Sequence, residues 1–225
     1  MQPPFYLDEQ QVIRSRTLDR FPWLEYGFGT RLSQNWPPRP AVTAKQIHSA
    51  RVLLADGQSD GVLGEGDAII VSQPGTLAAI RTADCLPILI ADPIHHVAAV
   101  VHAGWRGTVA QISAATVEHL SNKFDTRPGD LIALIGPGIQ QCCFEVGAEV
   151  ASQFGNLFPE RKDLQERTRI SLAEANRRQL ISAGILPDNI QATNECTCCG
   201  TERFESFRRD REASGRMVSV IGLRI

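Results

Sequence analysis

The 225-residue sequence predicts an α+β fold, a single domain over residues 1–225 built from mixed sheet and helices. Short apolar runs recur between Ala41 and Val101, each bounded by turn residues. After Gly107 the apolar spacing switches to a helical period. No repeat, low-complexity tract or long linker interrupts the chain, so nothing marks a second domain.

The first forty residues are rich in turn formers, and Pro37-Pro38-Arg39-Pro40 marks a break before the first convincing strand. Strands are then expected over Ala41–Ile47, Val52–Ala55, Asp67–Val71, Thr76–Arg81, Pro87–Ile90 and Val97–Val101. Asp92-Pro93 supplies a turn between the last two, which suits an antiparallel hairpin. These runs are nearly continuous in apolar residues rather than alternating, the pattern of strands covered on both faces. Thr108–Lys123 reads as a helix, with Val109, Ile112, Ala115, Val117 and Leu120 on one face and Thr108 as its N-cap. Leu131–Ile135 reads as a buried strand ended by Gly136-Pro137-Gly138. Val146–Phe154 and Leu172–Ala183 read as helices, the second stopped by Gly184, and Met217–Leu223 as a closing strand.

Composition narrows the function classes. A net charge of −2 and a pI near 6.2 do not suit a nucleic-acid binder. The arginines at 203, 208, 209 and 211 are interleaved with Glu202, Glu205, Asp210 and Glu212, which reads as a mixed solvated surface. No run reaches the roughly 20 apolar residues of a membrane span. Met1-Gln2-Pro3-Pro4 lacks the basic start and apolar core of a secretory signal. The six cysteines include the adjacent pairs Cys142-Cys143 and Cys198-Cys199, a poor basis for a regular disulfide framework. The expectation is a cytoplasmic protein with reduced thiols. The run Cys196-Thr197-Cys198-Cys199 lacks an evident second pair, so no thiolate cluster is expected there.

Three residues stand out as metal ligands. His48, Cys85 and His102 each sit where an apolar, strand-like run ends, a position that delivers side chains to a site. Two imidazoles and one thiolate, with a coordination position left open, are the donor set of a catalytic zinc site. Asp84 precedes Cys85 and is the first candidate for moving protons. Ala103-Gly104 and Gly107 bracket Trp105-Arg106, and Arg106 near a helix start suits an anion such as phosphate. His95, His96 and His119 fall in a turn and on a helix and are not expected to take part.

Several motifs together resemble one family. They are Phe28-Gly29-Thr30-Arg31, Lys45-Gln46-Ile47-His48, Gly66-Asp67-Ala68, Thr82-Ala83-Asp84-Cys85-Leu86-Pro87 and Val101-His102-Ala103-Gly104-Trp105-Arg106-Gly107. Gly136-Pro137-Gly138-Ile139, Phe144-Glu145-Val146-Gly147, Cys196-Thr197, Ser206-Phe207-Arg208-Arg209 and Gly215-Arg216 continue the match over nearly the whole chain. The sequence resembles the laccase-domain (polyphenol-oxidase-like) purine nucleoside phosphorylase family, related to peptidoglycan editing factor. Phe144 and Phe207 depart from it, standing where tyrosine is common. The resemblance implies a four-layer α/β/β/α sandwich with mixed sheets, like the catalytic domain of cytotoxic necrotizing factor toxins. It implies zinc on His48, Cys85 and His102, and phosphorolysis of adenosine, inosine, guanosine and methylthioadenosine beside hydrolytic deamination of adenosine. Arg31, Gln46, Asp84 and Arg106 are then the expected contacts to nucleoside and phosphate.

Three other readings compete. Copper-dependent polyphenol oxidation is disfavoured because five histidines cannot furnish the coupled copper sites of a true laccase, although a single adventitious copper could support weak oxidation in vitro. A metal-free hydrolase or amidase with Cys85 as nucleophile and His102 as base would suit peptidoglycan-precursor editing. A metal acting only as a structural staple in an interaction protein is the third.

Overall fold

The computed structural model describes residues 3–225. Along the chain come β1 (Phe5–Leu7), β2 (Val12–Ser15), β3 (Leu24–Gly29), β4 (Val42–Lys45), β5 (Val52–Leu54), β6 (Gly61–Glu65) and β7 (Ala68–Val71). Then follow β8 (Leu77–Thr82), β9 (Leu86–Asp92), β10 (Val97–Ala103), α1 (Trp105–Val109), α2 (Ile112–Phe124) and β11 (Ile132–Ile135). The rest are β12 (Glu145–Val146), α3 (Ala148–Ala151), β13 (Thr168–Arg169), α4 (Leu172–Ser182), β14 (Ile190–Ala192), α5 (Phe207–Asp210) and β15 (Met217–Leu223).

The strands form a seven-stranded sheet in the order β1-β2-β3-β15-β8-β4-β6 and a six-stranded sheet in the order β14-β11-β9-β10-β7-β5. Both are mixed, as the α+β expectation requires: β4 runs parallel to β6 and β8, β5 to β7 and β11 to β14, while the other pairs are antiparallel. The reason β9 and β10 read as unbroken apolar runs is now visible. Leu89, Ala91, Ala98 and Val100 point between the sheets, toward Ile80, Phe28 and Ile221. Ile88, Ile90, Ala99 and Val101 point the other way, toward Ile112, Val117 and Leu120 of α2 and Ala175 and Leu180 of α4. Every side chain of both strands is buried, so alternation has no solvent face on which to show. The hairpin expected at Asp92-Pro93 is present, with Asp92 opposite Val97 and His102 opposite Pro87. The outer face of the seven-stranded sheet carries a small third cluster, Leu77, Ala79 and Val220 beneath Trp36.

Several expectations are corrected. The turn-rich first forty residues contain β1, β2 and β3, short strands whose inward residues Ile13, Leu24 and Phe28 are buried. The helix expected over Thr108–Lys123 is broken: Gln111 adopts a left-handed conformation (φ 67°) between α1 and α2. Thr108 therefore lies inside α1, whose N-cap is Gly104, and Gln179 of α4 donates to the Thr108 carbonyl at 2.6 Å. The helix expected over Val146–Phe154 is shorter, because Glu145 and Val146 pair with β13 before Gly147 starts α3. By contrast α4 runs over the expected residues, capped by Ser171, whose hydroxyl accepts from the Glu174 amide at 3.1 Å, and followed by Gly184 at φ 100°.

Candidate active site

The strand expected over Ala41–Ile47 stops at Lys45 because its next donors find a different acceptor. The amides of Ile47, His48 and Ser49 donate to the carboxylate of Asp67, at 3.3, 2.9 and 2.6 Å. That carboxylate, fully buried just before β7, turns the chain so that His48 takes a left-handed conformation (φ 60°) and projects from the strand end. The same carboxylate accepts from Nδ1 of His102 at 2.8 Å, while the His102 amide donates to the Asp67 carbonyl at 2.7 Å. One acidic group thus positions two histidines from different strands.

Cys85 completes the set from the β8–β9 connection. The ligand atoms of His48, Cys85 and His102 all lie within 4.8 Å of one another, and the two imidazoles meet edge to face with centroids 4.9 Å apart. Asp84 is held at φ 87°, an unusual conformation for a residue with a side chain, and its carboxylate secures it. It accepts from the Thr197 hydroxyl at 2.7 Å and from the Arg208 amide at 2.6 Å. Gly104 closes the cradle. A Cβ there would stand 2.8 Å from Cys85 Sγ and 3.1 Å from His48 Cδ2, so no larger residue fits without displacing them.

The local electrostatics follow from burial and pairing. Burial resists ionisation of Cys85, but hydrogen bonds to His102 and His48 outweigh it and bring the thiol down to about 6. Burial would likewise keep His102 neutral, yet Asp67 and Cys85 raise it to about 9. Asp67 is penalised by burial but drawn down to about 2 by His102 and Ser49. With Nδ1 engaged by Asp67, His102 turns Nε2 toward the shared space, the carboxylate–histidine arrangement that orients metal-ligating imidazoles. Two histidines, a thiolate-prone cysteine, a buried orienting carboxylate and a glycine cradle fit a Zn(II) ion with an open coordination position.

The three residues line a cavity of about 980 Å³, at the upper end of the range usual for small-molecule sites. Gln46 and Asp84 also line it, but their polar atoms are committed elsewhere. The Gln46 amide exchanges two hydrogen bonds of 2.9 Å with the backbone of Arg81. Arg31 and Arg106, the expected anion contacts, are not among the residues that line it. Arg31 donates to the Thr201 carbonyl at 3.0 Å and faces Glu205 at 3.5 Å, whereas the Arg106 guanidinium stacks 4.3 Å over Trp105. The cations that do line the cavity are Arg81, Arg208, Arg211 and Arg216. Arg208 and Arg211 come from the run read as solvated surface; charge interleaving gave no sign that one face of it closes a pocket. Trp105, Phe144 and Phe207 supply aromatic surface, and Glu149 adds a carboxylate. Asp67 was also missed as a site residue, although Gly66-Asp67 immediately before an apolar run was its signal.

The remaining imidazoles are occupied elsewhere. His95 bonds Asp92 at 2.8 Å, His96 stacks on Trp23 at 4.4 Å, and His119 bonds the Ala115 carbonyl at 2.9 Å. Among the described residues only two histidines reach the site, too few for a coupled copper cluster.

The chain is similar to several known proteins. A purine nucleoside phosphorylase of Deinococcus radiodurans is 43% identical over 184 residues, covering 79% of this chain and 68% of that protein. Adenosine deaminase RL5, from an unknown prokaryotic organism, is 35% identical over 194 residues, 80% of this chain and 74% of its own. The crystal structure of YlmD from Geobacillus stearothermophilus superposes with a TM-score of 0.90 at 25% identity, covering 100% of both chains. The hypothetical protein YfiH of Bacillus licheniformis gives 0.88 at 28% identity, over 99% of this chain and 100% of that one. With residues 30–224 matching its pattern, the chain belongs to the family described as multi-copper polyphenol oxidoreductase laccase, whose curated relatives include these nucleoside enzymes.

Proposed function

We propose that the chain is a zinc-dependent purine nucleoside enzyme of the cytoplasm. It phosphorolyses adenosine, inosine, guanosine and methylthioadenosine, and hydrolytically deaminates adenosine. The observation that carries this reading is the meeting of His48, Cys85 and His102 on one wall of a cavity whose other walls are aromatic and cationic. The names of the relatives supply the substrate class. No helix is long and apolar enough to cross a membrane, and all six cysteines are free.

When bound by these three residues, zinc supplies Lewis acidity and makes water acidic enough to act near neutral pH. The protein does the rest. Trp105, Phe144 and Phe207 offer flat apolar surface to a purine. Arg81 and Arg211, in no ion pair among the described residues, hold the phosphate dianion. In phosphorolysis a phosphate oxygen bonds the sugar C1′ as the bond to the purine nitrogen breaks, and the departing base takes both electrons and needs a proton. Glu149 is better placed to give it than Asp84, whose carboxylate is already held by Thr197 and Arg208. The test is to incubate zinc-loaded protein with adenosine, with and without inorganic phosphate, and separate the products by chromatography. Adenine appearing only with phosphate, and inosine in both, is expected; neither product from metal-loaded protein rejects the reading.

A second reading is favoured by one contact, Cys85 Sγ within 4.8 Å of the His102 imidazole, a pairing that lowers the thiol and raises the imidazole. Without metal these form a thiolate–imidazolium pair suited to a cysteine hydrolase or amidase, including one that edits peptidoglycan precursors. His48→Ala separates the two. The zinc enzyme loses metal and turnover together, whereas a Cys85–His102 dyad keeps working in metal-free protein.

A further inference from the structure

A second group of donors lies outside this constellation. Cys142, Cys143, Cys196 and Cys199 have their sulfurs all within 4.8 Å of one another. Cys142 and Cys199 are 3.8 Å apart, and Cys143 and Cys199 3.3 Å, although 56 residues separate the latter two in sequence. The adjacent pair Cys142-Cys143 is the missing partner of Cys196-x-x-Cys199, so the expectation of no thiolate cluster is corrected. Cys198 takes no part and packs against the core beneath.

We infer that Cys142, Cys143, Cys196 and Cys199 form a closed four-thiolate Zn(II) centre that staples the wall of the cavity. Cys-x-x-Cys followed by Gly200 is a spacing typical of structural zinc ligation. Four sulfurs at Zn–S distances of about 2.3 Å stand about 3.8 Å apart on a tetrahedron, and the observed grouping needs little adjustment to reach that. A single disulfide would use two of the four and leave two thiols crowded against it. The backbone also anticipates a negative sulfur, because the Gln140 amide donates to Cys196 Sγ at 3.5 Å.

The two cysteine segments are already aligned by the backbone. Gly138 and Cys196 form a parallel bridge, and the Thr197 amide donates to the Gly138 carbonyl at 3.1 Å. Arg208 donates to the carbonyls of Cys143 and Glu145, at 3.3 and 3.0 Å. Arg209 donates to those of Thr197 and Cys198, at 2.9 and 3.2 Å. Two guanidinium groups thus stand beside a centre that carries two net negative charges when zinc is bound by four thiolates. Downstream of Cys143 the chain supplies Phe144, Glu145 and Val146 to the cavity, and Thr197 holds Asp84 next to Cys85. Fixing the four sulfurs fixes both.

The test uses the full chain purified under reducing conditions with zinc supplied. Cys85→Ser empties the first centre, and that variant is expected to keep about one zinc per chain. Adding Cys199→Ser removes that zinc, whereas adding Cys198→Ser leaves it in place. Replacement by Co(II) in the Cys85→Ser protein gives the tetrahedral bands and thiolate charge transfer of a four-sulfur site. A measurement without substitution accompanies these: zinc shields Cys142, Cys143, Cys196 and Cys199 of the native chain from alkylation, read by peptide mass spectrometry. Equal alkylation with and without zinc, a Cys143–Cys199 disulfide under reducing conditions, or equal zinc loss from the Cys198 and Cys199 variants overturns the inference. Because the metal is read with the first centre empty, failure here is distinct from failure of the nucleoside reading.

Discussion

Asp67 accepts a hydrogen bond of 2.8 Å from Nδ1 of His102, and both side chains are almost wholly buried. This contact leaves Nε2 as the free ring nitrogen, and the same carboxylate anchors the backbone at His48. Removing it therefore affects two ligands at once. Asp67→Asn is expected to weaken zinc binding ~10–100-fold, measured by competition with a chelator of known affinity.

Acid stability carries a related signature. The ordinary pKa of an aspartate is 3.8 and folding lowers that of Asp67 to about 2, so its contribution is full above 3.8 and is lost as pH falls through 2. Wild type should lose stability across that window relative to Asp67→Asn, in acid titrations followed by circular dichroism. Equal acid profiles would separate Asp67 from this role.

Gly104 is fixed by proximity rather than by backbone freedom, since its φ is −72°. Gly104→Ala puts a methyl 2.8 Å from the Cys85 sulfur. A cost of about 1–3 kcal/mol in stability is expected, with a disproportionate loss of zinc affinity. Denaturant titration and metal analysis of the same preparation report both.

The anion contacts can be sorted by substitution. Arg81→Ala and Arg211→Ala should each raise the KM for phosphate ~10-fold, about 1.4 kcal/mol. Arg31→Ala and Arg106→Ala, whose side chains lie outside the cavity lining, should change it little. Steady-state kinetics against phosphate at fixed adenosine decides; the reverse pattern would move the anion site.

Asp84 and Glu149 both line the cavity, and substitution separates a positioning carboxylate from a proton donor. Asp84→Asn breaks at least one of the bonds to Thr197 and Arg208 and is expected to cost about 1–3 kcal/mol in stability. Glu149→Gln should leave the melting temperature near that of wild type and lower kcat ~10²-fold, the scale of a lost proton donor. Thermal melts alongside kcat distinguish positioning from proton transfer.

In metal-free protein the Cys85 thiol ionises near 6, well below its ordinary value of 9.0. Its alkylation rate, followed on the Cys85 peptide, should therefore rise through about pH 6 and level off above it. A midpoint near the ordinary thiol value would show that His48 and His102 do not act on it.

The sequence by itself determined the elements whose burial is uniform or whose period is clear. β9 and β10 showed as continuous apolar runs because two layers cover them, α4 by its spacing and its stop at Gly184, and β15 as a short, mostly apolar closing run. It also placed His48, Cys85 and His102 at the ends of strands, since a polar donor closing an apolar run is a local pattern. What it left open depends on pairs distant in sequence. The strands β1 to β3 are stabilised by pairing with one another and with β15, which their own composition does not announce. Only the folded chain decided that Arg81 and Arg211 line the cavity while Arg31 pairs with Thr201 and Glu205 and Arg106 stacks on Trp105, because a guanidinium's partners are set by its neighbours. The same holds for the four remote cysteines, which the parallel bridge between Gly138 and Cys196 brings together. Local spacing fixes which residues leave a strand; convergence is a property of how the sheets are crossed and stacked.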